Sequence, residues 1–88
     1  MDSELLEKIK KLENWHEQDE KLHAEFKFTD FNEAFAFMTR VAMLAEKMQH
    51  HPDMSNFYNV VQITLWTHKY KTIRPKDVEM AEEIDKLR

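Results

Sequence analysis

The sequence predicts an α+β fold, a four-stranded antiparallel sheet with about three helices packed on one face. Two patterns support this prediction. In some stretches apolar residues recur at helical spacing, and in others they alternate with polar residues, as in strands with one buried face. These stretches follow one another as helix, hairpin, long helix, hairpin and helix, an order typical of an antiparallel sheet covered by helices. A length of 88 residues predicts one domain, 1–88.

The first elements are a short helix and a hairpin. Residues 2–14 carry Leu and Ile on one helical stripe, and the Asp or the Ser at their start would cap the helix. Residues 21–28 alternate between apolar and polar side chains, which predicts a half-buried strand. A shorter strand near Trp15 would pair with it across a turn around residues 18–19, although this hairpin lacks the usual Gly.

The longest helix is predicted from Asp30 to about residue 49. Asp30 followed by Glu33 resembles a capping box, with Asp in place of Ser or Thr. The helix should end before His51, because Pro52 disfavours the helical conformation in the residue that precedes it. The apolar stripe is broad enough for burial on two sides, against the sheet and against a second subunit. It consists of Phe31, Ala34, Phe35, Met38, Val41, Ala42 and Ala45, widened by Phe37 and Leu44.

The C-terminal part is predicted to form a second hairpin and a final helix. Residues 54–58 and 60–68 form the strands, joined by a turn at Asn59, and alternate Val, Ile and Leu residues of the second strand face the core. Pro75 fits the first turn of the last helix, where its missing N–H is not needed. The inner face of that helix consists of Val78, Ala81 and Ile84, followed by Leu87 or Arg88.

Composition excludes several classes of function. The chain has no Cys, which rules out disulfides, thiolate zinc sites and cysteine nucleophiles, and no Gly, which rules out Gly-rich phosphate loops. Its net charge of −4 argues against direct nucleic-acid binding, because phosphate contacts need a basic surface. No apolar run reaches the roughly 18 residues of a membrane span, and the acidic N terminus differs from a signal peptide. We therefore expect a cytoplasmic protein that does not bind a membrane.

Five histidines are many for a chain of this length, and three fall at predicted element ends. His50 and His51 lie at the C-terminal end of the predicted long helix, and His68 lies at the end of the last predicted strand. Asp77 opens the last helix, and Glu46 lies one turn before His50. Histidine titrates near neutral pH, so such a cluster indicates proton transfer. Two alternatives remain: solvated residues at helix ends, or a zinc site of three imidazoles and a carboxylate, which matches no compact zinc motif.

The same residues form a pattern that resembles the signature of pterin-4a-carbinolamine dehydratases. The pattern consists of Glu46, His50, His51, Pro52, Tyr58, His68 and Asp77. The resemblance extends upstream through FKFTDFNEAFAFMTRVAMLAEKM and downstream through VQITLWTH, so it covers the chain from about Trp15 onward. Three features depart from the family pattern: Met54 follows Asp53, Trp66 stands where a small residue is familiar, and the first hairpin has no Gly.

The resemblance implies dehydration of 4a-hydroxytetrahydropterin to quinonoid dihydropterin and water, which recycles the pterin cofactor of aromatic amino-acid hydroxylases. This reaction takes a proton from a ring nitrogen and expels a hydroxyl group from the adjacent carbon. It therefore requires an acid and a base, but no metal and no cofactor. The resemblance assigns proton transfer to His50 and His68, with acid and base left open. It also implies that His51 binds the pterin or shares in proton transfer, and that Asp77 orients a neighbouring His or raises its basicity.

The resemblance also implies substrate-binding residues, each with a structural alternative. Glu46 would hydrogen-bond the pterin or hold the His pair, or else be a solvated partner of His50. Trp66 would border the pocket and Trp15 would lie beside the pterin, or else both would be packing residues. Pro52 joins this group because it fixes the exit from the helix and so aims both histidines.

A second class of function also follows from the resemblance. Some family members are dimerisation cofactors, and so transcriptional coactivators, that bind the helical dimerisation segment of a homeodomain transcription factor. The apolar face of helix 30–49 could serve such a partner. Family members also form dimers and tetramers, and the same face predicts self-association of this chain. Replacing His50 or His68 with Ala separates the two functions, because catalysis needs the histidines and coactivation needs the helix surface.

Overall fold

The computed structural model of the chain describes residues 2–88. Within them, helices and strands follow one another in the predicted order. They are α1 (Ser3–Lys10), β1 (Trp15–Gln18), β2 (Lys21–Lys27), α2 (Phe31–Met48), β3 (Asp53–Phe57), β4 (Val60–Leu65) and α3 (Pro75–Asp85). The four strands form one antiparallel sheet in the order β1-β2-β4-β3. The predicted α+β architecture is confirmed.

Apolar and polar side chains alternate along β2 and β4, so that one face of the sheet is apolar and buried. Leu22 pairs with Leu65 and Phe26 pairs with Val61, and all four side chains are completely buried. Full burial of such side chains contributes about 1.5–3 kcal/mol each. His23 lies on the opposite face of the sheet and is partly exposed. The helices cover the apolar face, so the core lies between one side of the sheet and the helix layer.

Both ends of α2 are fixed where the sequence predicts. The Asp30 carboxylate accepts a hydrogen bond from the Glu33 N–H at 2.9 Å, and the Glu33 side chain accepts one from the Thr29 N–H. At the other end, Gln49 adopts a left-handed conformation with φ of 54°. This conformation costs a residue other than Gly about 1–2 kcal/mol. It turns the chain sharply just before His50.

The buried stripe of α2 is narrower than the apolar stripe in the sequence. Its buried residues are Ala34, Phe37, Val41 and Ala45. Phe31 and Phe35 are about half exposed and stack on one another with ring centroids 5.7 Å apart. The apolar stripe thus divides into a face buried against the sheet and a face that the rest of residues 2–88 leaves partly exposed. Even so, no helix in this range combines the length and apolar character that a membrane span requires.

Two predicted boundaries are wrong by three or four residues. The first helix ends at Lys10 rather than at residue 14, and Leu6, expected on its inner stripe, is 37% exposed. Leu12 is buried although it lies beyond the helix. β4 ends at Leu65, so His68 lies in the loop that joins β4 to α3 rather than on a strand.

The hairpins turn without glycine. Asp19 and Glu20 both have positive φ, 55° and 59°, as the two central residues of a type I′ turn require. This turn lies one residue later than predicted. The second hairpin turns at Tyr58 and Asn59, as expected, with φ of 49° at Tyr58.

Candidate active site

A cleft of about 360 Å³ opens where the end of α2 meets the loop between β4 and α3. Its walls are formed by Gln49, His50, His51, Trp66, Thr67 and His68. The three histidines of the predicted cluster therefore border the same space, although they come from two chain segments. Asp77, in the first turn of α3, lies behind this cleft and contacts His50.

The pair formed by His50 and Asp77 is a largely buried polar contact of the site. Nε2 of His50 lies 2.5 Å from Oδ1 of Asp77, and the side chains are 13% and 0% exposed. An ionised carboxylate only accepts hydrogen bonds, so the contact assigns the hydrogen to Nε2. Nδ1 of His50 is then the ring nitrogen free to exchange a proton with a ligand.

Two further donors fix the orientation of the Asp77 carboxylate. The Thr67 hydroxyl donates to Oδ2 at 2.8 Å, and the Arg74 backbone N–H donates to the same oxygen at 2.9 Å. The second bond is the helix-capping contact of α3, because Asp77 reaches back from the third helical position to the N-cap residue. Asp77 is thus completely buried and has hydrogen-bond donors on both oxygens.

His51 makes its own carboxylate contact outside the buried pair. Its Nε2 lies 2.9 Å from Oε2 of Glu46, and the two side chains are 61% and 74% exposed. Glu46 therefore contacts His51 rather than His50, the helical neighbour that the sequence suggested. A contact this exposed contributes little to stability, but it restrains the imidazole at the rim of the cleft.

Trp66 and His68 form an aromatic wall on the other side of the cleft. Their ring centroids are 4.2 Å apart, and both residues line the cleft. The indole N–H donates to Asp53 at 3.3 Å, and the Lys21 ammonium lies 4.4 Å from the indole centroid. These neighbours come from the two strands that flank β4, so the sheet itself holds Trp66 at the cleft.

Trp15 lies in the core and not at the cleft. It is 5% exposed, its indole N–H donates to Oδ1 of Asp85 at 2.9 Å, and its ring packs edge-on against Phe26. This is the packing role that the sequence left as the alternative to pterin binding. Tyr58 is exposed in the β3–β4 turn, and Pro52 is half-buried between α2 and β3. Neither borders the cleft.

The sequence analysis missed two cleft residues. Gln49 and Thr67 both line the cleft, yet neither has a property that marks it in a single sequence. The zinc alternative has no ligand set in the part of the chain that the structure describes, residues 2–88. In that part, no group of three His, Cys, Asp or Glu side chains is placed to hold a metal ion.

Comparison with known proteins assigns the chain to a family. The family model described as pterin 4 alpha carbinolamine dehydratase matches residues 1–87. Two curated relatives, assigned by name to the pterin-4-alpha-carbinolamine dehydratases, come from Prochlorococcus marinus (strain NATL2A) and Synechococcus sp. (strain WH7803). The first is 48% identical over 79 residues, which are 90% of this chain and 83% of the relative. The second is 51% identical over 76 residues, which are 86% and 82% of the two chains.

One solved structure agrees with this assignment, and a second shares the fold. A transcriptional coactivator/pterin dehydratase from Brucella melitensis superposes with a TM-score of 0.92 at 38% identity, over 99% of this chain and 95% of that one. A pterin dehydratase-like RuBisCO assembly factor of the alpha-carboxysome shares the fold, with a TM-score of 0.69 at 23% identity over 83% and 84% of the two chains. The protein belongs to the pterin-4a-carbinolamine dehydratase family, whose name denotes a hydro-lyase.

Proposed function

We propose that the histidine-lined cleft is the active site at which this dehydratase removes water from a 4a-hydroxytetrahydropterin, with the cytoplasm as its compartment. The observation that supports the proposal is the pair of His50 and Asp77, because His50 both contacts this buried carboxylate and lines a cleft shared with His51 and His68. Removing water from the substrate requires one group that takes a proton and one that supplies it. The cleft holds candidates for both.

His50 and His68 carry the proton transfers in this proposal. One takes the proton from the ring nitrogen, and the other protonates the hydroxyl group, which then leaves as water while the C–O electron pair departs with it. The Asp77 carboxylate stabilises the imidazolium that forms when Nδ1 of His50 also holds a proton. His51 and its partner Glu46 hold the pterin at the rim.

Trp66 provides a flat surface for the pterin ring. Its indole is held by hydrogen bonding to Asp53 and by the Lys21 ammonium, so it forms a wall whose position is set before substrate binds. Stacking against a fixed aromatic ring requires little side-chain ordering on binding. Pro52 contributes indirectly, because it directs the chain away from α2 just after the two histidines.

Stopped-flow absorbance on chemically generated 4a-hydroxytetrahydropterin tests the proposal, with spontaneous dehydration as the baseline. His50→Ala and His68→Ala should each lose roughly 100- to 10,000-fold of the acceleration, the usual contribution of a positioned acid or base. His16→Ala is the matched control, because His16 lies exposed on β1 and outside the cleft. Full activity in a folded His50→Ala variant would refute the proposed role of the pair.

The exposed face of α2 supports self-association of the chain. The same face is the surface that the second candidate function, coactivation by binding a protein partner, would use. Phe31, Phe35 and Ala42 are exposed along one stripe, and Met38 is partly exposed beside them. We propose that a second copy of the chain covers this stripe, giving a dimer or tetramer. Light scattering after size exclusion should show a smaller assembly for Phe35→Glu. Lys47→Glu, exposed on the same helix off this stripe, should leave the mass unchanged.

Coactivation and catalysis are separable with these same variants. A protein partner would bind the α2 stripe, so its binding should be lost in Phe35→Glu and retained in His50→Ala. Turnover should instead be lost in His50→Ala and retained in Phe35→Glu. A partner that still binds Phe35→Glu with unchanged affinity would exclude the stripe as its docking surface.

A further inference from the structure

We propose that Thr67 is a positioning residue for proton transfer, which acts by holding Asp77 in the orientation that His50 requires. This inference rests on the proposed role of His50. Three features connect Thr67 with the two histidines assigned to proton transfer. Its hydroxyl donates to Asp77, the partner of His50. Its backbone closes the loop that carries His68, and His68 follows it directly in the chain.

The hydroxyl contact determines which way the carboxylate faces. A carboxylate can rotate about its terminal torsion with little intrinsic preference, so its orientation depends on the donors around it. The hydroxyl of Thr67 and the N–H of Arg74 both meet Oδ2, which leaves Oδ1 of Asp77 directed at His50. Without the hydroxyl, a single backbone donor would have to hold Oδ2.

The backbone of Thr67 is itself anchored. Its N–H donates to the Thr72 carbonyl at 2.9 Å, and the two residues form an isolated antiparallel bridge. Its carbonyl accepts from the N–H of Tyr70, and the carbonyl of His68 accepts from the N–H of Lys71. The four residues between Thr67 and Thr72 thus form a closed turn. The hydroxyl is therefore presented to Asp77 from a fixed position, at the base of the turn that carries His68.

Two substitutions separate the hydroxyl from the shape of the side chain. Thr67→Val keeps the branched shape but removes the donor, so kcat should fall roughly 10- to 100-fold, as is typical when an outer hydrogen-bond partner of a functional group is lost. KM should change less than about threefold, because the hydroxyl faces Asp77. Thr67→Ser keeps the donor and should restore kcat to within about threefold of wild type.

The control variant removes a hydroxyl from the same loop. The Thr72 hydroxyl donates to Glu20 at 2.9 Å rather than to Asp77. Thr72→Val should therefore leave kcat unchanged. Equal losses of kcat in Thr67→Val and Thr72→Val would show that loosening of the loop is sufficient and would overturn the inference.

A double variant tests whether Thr67 acts through His50. In the His50→Ala background, Thr67→Val should cause no further loss of kcat, because the group that it positions is absent. An undiminished further loss would overturn the inference and place Thr67 in a separate role. Nitrogen-15 NMR of the imidazoles gives a second readout: wild type should show His50 protonated at Nε2, and Thr67→Val should show a mixture of tautomers.

The outcomes distinguish this inference from the proposed function. If His50→Ala is fully active, the role of the histidine pair fails. If His50→Ala is inactive while a folded Thr67→Val matches wild type in kcat and in the His50 nitrogen shifts, only the role of Thr67 fails. Should Thr67→Val not fold, Thr67→Ala also lacks the donor without the extra methyl group at the site of the hydroxyl, and the same expectations apply to it.

Discussion

Asp77→Asn is the substitution for which the structure makes the sharpest prediction. Asn has nearly the same size as Asp but offers one acceptor oxygen and one N–H₂ group. If the oxygen keeps the bonds from Thr67 and Arg74, the amide nitrogen faces Nε2 of His50. Two N–H groups would then oppose one another, unless the hydrogen of His50 moves to Nδ1. Either result removes a proton-accepting Nδ1 aligned with the cleft.

The magnitude follows from these contacts. Loss of a correctly placed acid or base at His50 predicts a fall in kcat of roughly 100- to 10,000-fold. Loss of a charge-assisted hydrogen bond in a completely buried position predicts a decrease in the free energy of unfolding of about 1.5–3 kcal/mol. The effect on rate should be the larger of the two, because 1.4 kcal/mol corresponds to about tenfold.

Stopped-flow turnover and urea unfolding, measured on the same samples, check both numbers. Asp85→Asn is the matched control: it makes the same change in charge on α3, outside the cleft, and its oxygen can still accept the bond from Trp15. It should retain wild-type kcat. The reasoning would be refuted by a folded Asp77→Asn protein whose kcat lies within threefold of wild type.

Three further predictions concern residues around the site and on the surface. Trp15→Phe removes the indole bond to Asp85 and should lower the free energy of unfolding by about 1–2 kcal/mol, with kcat and KM unchanged. A raised KM would instead indicate that Trp15 contacts the pterin. His51→Ala should raise KM more than it lowers kcat, since the imidazole is 61% exposed at the rim; equal effects on kcat and kcat/KM in steady-state kinetics would contradict this. A hydrogen bond from Lys86 to Glu83, with the charge of that carboxylate, raises the pKa of Lys86; Glu83→Gln should lower it in an NMR titration, and an unchanged pKa would show that the pair does not form in solution.

The strands and the long helix could be predicted because their side-chain patterns report burial directly. Leu22, Phe26, Val61 and Leu65 alternate along two strands and are all completely buried. The capping residue Asp30 likewise acts locally, through an N–H three residues away. Alternation along a strand and capping of a helix are both local patterns, so a single sequence contains the information needed to predict them.

The errors come from contacts that a local pattern does not record. Trp15 is held by Asp85, seventy residues later, and no spacing rule links the two. The exposure of Leu6 follows from an early end to α1, and helix ends are weakly specified by sequence. On α3, Met80 is completely buried although the predicted inner face omitted it.

Spacing in the sequence also does not predict which site residues contact each other. His50 and Asp77 are 27 residues apart. Their positions at element ends grouped them in advance, and the family resemblance gave Asp77 the task of orienting a neighbouring His. The same resemblance included Thr67 only as part of a longer stretch, without a role. Its hydroxyl became a candidate once the structure placed it 2.8 Å from the carboxylate.

The positions of the histidines depend mainly on backbone features. The left-handed Gln49 turns the chain ahead of His50, the bridge from Thr67 to Thr72 closes the loop of His68, and neither feature uses an imidazole. Replacing a histidine with Ala therefore removes the reactive group while the backbone that presents it remains. For this reason a loss of turnover in those variants reports on proton transfer, provided that the free energy of unfolding shows them to be folded under the assay conditions.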